Sequence, residues 1–120
     1  MDFESQKLEA VFYKTEMGTE PVREWLKSLT QPDKKSIGED IKTVQFGWPM
    51  GMPLVDNLGY GLWEVRTKLA GGRIARILFF MDSGTLVLLH GFIKKTQKTP
   101  KAELELARKR KKIYEKSENK

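Results

Sequence analysis

The polypeptide has 120 residues, enough for one domain and too few for two. Cysteine is absent and histidine occurs once, which excludes disulfides, thiolate nucleophiles, thiolate metal sites and a histidine-built zinc site; separately, no cofactor is expected. Charge is unevenly placed within a net +6: the first sixty residues hold seven Lys/Arg against ten Asp/Glu, and the last sixty hold fifteen against six. A field concentrated in one half steers polyanions, with RNA, DNA and anionic lipid as candidates; a merely solvated basic helix is the plainer alternative. No apolar run is long enough to span a bilayer, and Met1-Asp2-Phe3-Glu4 lacks the basic start and apolar middle of a signal peptide. A soluble cytoplasmic protein with no membrane partner is the expectation.

In chain order, residues 8–14 read as a short strand. Gly18-Thr19-Glu20-Pro21 supplies a helix start, with a capping residue and a proline in the first turn. Val22, Trp25, Leu26 and Leu29 follow with helical spacing. Gln31-Pro32-Asp33 breaks and restarts the chain, Ile37, Ile41 and Val44 carry a second helix, and Gly47 and Pro49 stop it. The two helices form a hairpin. Residues 47–61, rich in Gly and Pro, read as a long loop.

Three strands follow in a meander: Leu62 to Lys68, Arg73 to Met81 and Leu86 to Ile93, separated by Ala70-Gly71-Gly72 and by Asp82-Ser83-Gly84-Thr85. Thr99 and Pro100 open a last helix ending near Lys116, and residues 117–120 are expected to fray. The order β-α-α-β-β-β-α is that of an α+β domain over residues 1–116, with a helical hairpin on a mainly antiparallel sheet.

Alternation places Glu64, Arg66 and Lys68 on one side of the first meander strand, and Arg76 with Ile74, Leu78 and Phe80 on one side of the second. On the third, His90 and Lys94 share a parity with Leu88 and Phe92. An arginine inside an apolar run needs a partner or an anion. Either Arg76 pairs with Glu64 across the strands, or Arg66, Arg73 or Arg76 gathers with Lys94 or Lys95 into a cluster that a phosphodiester would neutralise. His90 is either a satisfied strand histidine or a proton-transfer group.

Gly61-Leu62-Trp63-Glu64-Val65-Arg66, Arg76-Ile77-Leu78 and above all Leu89-His90-Gly91-Phe92-Ile93-Lys94-Lys95-Thr96-Gln97-Lys98-Thr99-Pro100 resemble the phage-derived Gp49-like family, which belongs with the HigB toxins in the RelE/ParE superfamily. The resemblance covers about residues 8–115 and implies a RelE-like fold. It also implies the toxin of a type II toxin–antitoxin system, a metal-independent endoribonuclease that cleaves mRNA at the ribosome. A HigA-like helix-turn-helix antitoxin, mRNA and ribosomal RNA would be its partners. ParE-like relatives share the fold and inhibit DNA gyrase without cleaving RNA; a non-catalytic RNA-binding module is a further alternative.

Carried over by position, Arg66 and Arg76 would grip the scissile phosphate, Lys94 or Lys95 would be base or acid, and His90 would stand in reserve. Crowded cations depress a lysine's pKa and so make a lysine base plausible. Arg73, Lys68, Lys98, Arg108, Arg110 and Lys112 would contact RNA; the run Arg108 to Lys112 could instead receive an acidic antitoxin segment. The sequence differs from the superfamily's pattern at Glu64, where members often carry a basic residue. It also offers no tyrosine or histidine between Lys94 and Lys101, and Tyr114 lies too far along the helix.

Overall fold

Five strands and three α-helices make up residues 7–118, the part of the chain that the computed structural model describes. They are β1 (Glu9–Phe12), α1 (Pro21–Lys27), α2 (Gln31–Gly47), β2 (Val55–Gly59), β3 (Leu62–Lys68), β4 (Ile74–Asp82), β5 (Thr85–Lys94) and α3 (Lys101–Glu118). The sheet order is β1-β5-β4-β3-β2. Only β1 runs parallel to its neighbour, pairing Glu9 with Thr85 and Phe12 with Leu88; the other pairings are antiparallel. The architecture is the expected α+β arrangement and is compatible with a RelE-like fold.

Two apolar layers hold the sheet. On one side Val22, Ile37, Ile41 and Val44 of α1 and α2 pack on Val55, Val65, Ile77, Phe79 and Leu88. On the other Leu104, Ala107 and Tyr114 of α3 pack on Leu62, Leu78, Phe80, Val87 and Leu89. Covering both faces explains why β4 reads as a nearly unbroken apolar run instead of an alternating one. Pro21 stands in the first turn of α1, as expected, but Glu20 at the cap position makes no side-chain capping bond. Its carboxylate pairs with Arg23 at 3.1 Å instead.

Two expectations are corrected. The loop expected over residues 47–61 contains β2, an edge strand that pairs Val55 with Val65 and Asn57 with Trp63. Five residues with Asp56, Asn57 and a terminal glycine carry too weak a strand signal to be read from propensity, and polar groups are what an exposed edge requires. The second correction concerns β5. Its register against β4 shifts, with Leu78 opposite His90 but Phe79 opposite Leu88. The extra residue turns Leu88 to the α1/α2 side, while Val87 and Leu89 pack on the α3 side. Leu88 and His90 therefore do not share a face. Gly91 follows the bulge, and a Cβ there would lie 2.5 Å from Cε3 and Cζ3 of Trp25, so glycine lets α1 seat directly on the strand.

Candidate nucleic-acid interface

Strand register assembles polar residues into rows on the α3 side of the sheet. Arg66 stands opposite Arg76, which stands opposite Phe92. The row toward one end holds Lys68, Ile74 and Lys94, and the row toward the other holds Glu64, Leu78 and His90. Three strands thus bring together residues far apart in sequence.

At the centre, Arg76 and Glu64 are fully buried. Arg76 Nε lies 3.8 Å from Glu64 Oε1, the cross-strand ion pair open from the sequence. Arg66 Nη1 donates to the same oxygen at 3.1 Å. The Thr99 hydroxyl donates to Glu64 Oε2 at 2.6 Å. Arg66 also donates to Gln97, through Nη1 to the backbone carbonyl at 3.0 Å and through Nη2 to Oε1 at 3.1 Å. Arg76 Nη2 donates to the Thr96 carbonyl. One carboxylate thus offsets two guanidiniums, and both arginines pin the segment between β5 and α3. Among the described residues Nε and Nη1 of Arg76 have no hydrogen-bond partner, and the ring of Phe92 lies 5.6 Å from its guanidinium carbon. Burial pushes the Arg76 guanidinium below the ordinary arginine value, Arg66 adds to that, and Glu64 opposes it.

His90 sits beside this network, its side chain 14% exposed. Its Nε2 lies 2.7 Å from Glu103 Oε1 on α3, and its Nδ1 lies 3.4 Å from Arg110 Nη1. Glu103 Oε2 meets Lys94 Nζ at 3.4 Å. Burial alone would raise the Glu103 carboxyl, but the hydrogen bonds and charges of His90 and Lys94 outweigh it and hold it low. Lys94 keeps 45% of its side chain exposed. Lys95 and Lys98 are exposed, without an ion-pair partner among the described residues.

Other cations are placed differently. Arg73 makes a two-pronged contact with Asp33, at 2.8 and 3.1 Å, and its Nε donates to Ala70 O. It ties α2 to the β3–β4 turn. Lys68 is exposed at the end of β3. The basic run on α3 divides around the helix: Arg108 Nη2 donates to Leu58 O at 3.3 Å, and Arg110 Nη1 donates to Leu89 O at 2.9 Å on the opposite flank. Lys109 and Lys112 point outward. Tyr114 packs edge-on against Phe80, and burial, then Asp82 and Glu118, push its hydroxyl up to about 12, a poor base near neutral pH.

Sequence reading missed Glu103, Thr99 and Gln97. Glu103 is one acidic residue among several on a charged helix, and only the crossing of α3 over β5 distinguishes it. Among the described residues no group of three or more His, Asp or Glu is placed to hold a metal, and no helix is long and apolar enough to cross a membrane. A cavity of about 600 Å³ among Phe12, Tyr13, Lys14, Ile113, Tyr114 and Ser117 lies at the far end of α3 from Lys94 and Lys95. Lys94, Lys95 and Lys98 instead lie on open surface, which suits a polymer better than a small molecule.

Fold and charge together define a small α+β protein with a cationic face. The family described as "Phage derived protein Gp49-like" matches residues 24–112, and the chain belongs to that family. Gp49-like proteins are associated with the toxins of toxin–antitoxin systems, and an antitoxin partner accompanies that association. No curated protein matches the chain.

Proposed function

We propose that this protein is a toxin that stops translation by cleaving mRNA at the ribosome, without a metal, and that a HigA-like antitoxin neutralises it. The observation that carries this reading is the convergence of Arg66, Arg76 and Lys94 from three adjacent strands, with exposed Lys95 and Lys98 following directly. The ribose 2′-hydroxyl attacks the adjacent phosphorus as a base takes its proton. The P–O5′ bond breaks and an acid protonates the leaving oxygen, giving a 2′,3′-cyclic phosphate and a 5′-hydroxyl. Cations around the phosphorane stabilise its added charge.

Lys95 and Lys98 first meet the backbone, and Lys94 or Lys95 moves the proton. Arg66 and Arg76 reach the phosphate when residues 96–99 lift from them, exchanging the Thr96 and Gln97 carbonyls for phosphate oxygens. Nε and Nη1 of Arg76, unpartnered among the described residues, support that exchange. His90 acts through its contacts with Glu103 and Arg110, since both ring nitrogens are engaged. Lys68, Arg108, Arg110 and Lys112 supply the wider field that holds RNA, whereas Arg73 belongs to the scaffold through Asp33.

Induced expression followed by primer extension on a reporter transcript tests this reading. New 5′ ends within the translated region are expected, and Lys95→Ala should remove them while antitoxin binding persists. Intact mRNA accompanied by DNA damage would overturn it in favour of a gyrase inhibitor.

A further inference from the structure

Tyr60 is the most exposed aromatic residue described, with 90% of its surface open. It forms the tip of the β2–β3 turn, between Gly59 and Gly61, and all three have positive φ (91°, 53° and 78°). That conformation suits glycine and is unfavourable for tyrosine, so the ring is held out at a conformational cost. The guanidinium carbon of Arg108 lies 5.4 Å from the ring centroid. Arg108 is fastened there by its bond to Leu58 O and has no carboxylate partner among the described residues. Lys112, one helical turn on, is exposed and likewise unpaired. Lys111 lies beside Gly61 but is partly neutralised by Glu115 at 3.1 Å.

An open aromatic face beside an uncompensated arginine, with an exposed lysine one helical turn further on, is the chemistry that receives an unpaired base and its phosphate. We propose that Tyr60, Arg108 and Lys112 form a second RNA site, in which one unpaired base stacks on the free face of Tyr60 and the neighbouring phosphate meets Arg108 and Lys112. The site rests on the reading of the protein as an RNA-acting toxin and adds where, and in what form, RNA is held away from the cleavage centre. Charge favours RNA over an apolar protein segment, because Arg108 and Lys112 lie in a run of five consecutive basic residues. The base could belong to the message or to ribosomal RNA; the stacking chemistry is the same.

Fluorescence anisotropy with a labelled, uncleavable 2′-O-methyl octanucleotide tests the site on the full-length toxin, with a duplex of the same sequence as control. Tyr60→Ala and Tyr60→Gly should weaken single-strand binding by on the order of tenfold or more and leave duplex binding unchanged. Tyr60→Phe should bind as the wild type does. Tyr60→Gly also relieves the positive φ, so its folded stability should hold or rise and exclude misfolding as the cause. Arg108→Gln with Lys112→Gln should lower affinity and flatten its dependence on salt.

Crosslinking from position 60 to ribosomes carrying labelled mRNA would then separate message from ribosomal RNA. Unchanged single-strand affinity in Tyr60→Ala would overturn the site. So would a loss confined to antitoxin binding, which would make the patch a protein-docking surface. A wild type that cleaves mRNA while Tyr60→Ala binds RNA normally defeats only this inference; a wild type that neither binds nor cleaves RNA defeats the proposed function as well.

Discussion

A 2.7 Å contact between His90 Nε2 and Glu103 Oε1 ties α3 to β5 beside the buried arginine pair. The carboxyl of Glu103 titrates below its ordinary value of 4.5, because His90 and Lys94 outweigh the effect of burial. A carboxylate with a lowered folded-state pKa stabilises the fold above the unfolded value and loses that contribution as pH falls through the folded one. Glu103→Gln should therefore cost about 1–2 kcal/mol near neutral pH. Urea unfolding at pH 7 and again well below pH 4.5 checks this, and the gap from wild type should narrow in acid.

Glu64 is the shared counter-ion of Arg66 and Arg76 and the acceptor for Thr99. Its removal leaves a fully buried guanidinium without compensation. Glu64→Ala should destabilise the protein by roughly 3–5 kcal/mol, whereas Thr99→Val, which loses one bond, should cost about 1–2 kcal/mol. Hydrogen exchange over residues 95–100 should accelerate in Thr99→Val while the amides of β4 stay protected.

At Gly91 an added methyl meets the ring of Trp25. Gly91→Ala should cost about 1–3 kcal/mol through overpacking. In a Trp25→Leu background the same substitution should cost less, and the coupling read from the four unfolding midpoints measures the contact.

The Asp33 carboxyl is held below its usual 3.8 chiefly by the hydrogen bond from Arg73, with burial opposing and the charge of Arg73 adding to it. Its contribution is present above the unfolded value and lost as pH falls through the lowered folded value. Asp33→Asn should melt at a lower temperature than wild type at pH 7, and the two melting temperatures should converge as the pH falls well below 3.8. RNA affinity should be less sensitive to Arg73→Met than to Lys95→Ala, since Arg73 is already occupied.

Much of this architecture was legible in the sequence because its signals are local. The helical spacing of Val22, Trp25 and Leu26, the turn at Asp82 to Thr85 and the prolines Pro21 and Pro100 place elements without tertiary information. The pairing of Arg76 with Glu64 follows from alternation once β3 and β4 are neighbours. What escaped depends on contacts across the fold. β2 exists because β3 offers it an edge, and the bulge near Leu89 is set by packing on both faces of β5. Glu103 acquires its role where α3 crosses His90. The segment between β5 and α3 reads as a basic linker, yet Thr96, Gln97 and Thr99 tie it onto the arginines.

The most direct test adds the antitoxin-free protein to translating ribosomes programmed with an end-labelled message and examines the chemistry of the new 3′ ends. Fragments ending in a 2′,3′-cyclic phosphate are expected, abolished by a 2′-O-methyl group at the cleaved nucleotide and by Lys95→Ala. A message that stays whole under those conditions, or one cut to plain 3′-hydroxyl ends, would contradict cleavage by the ribose hydroxyl at this cationic face.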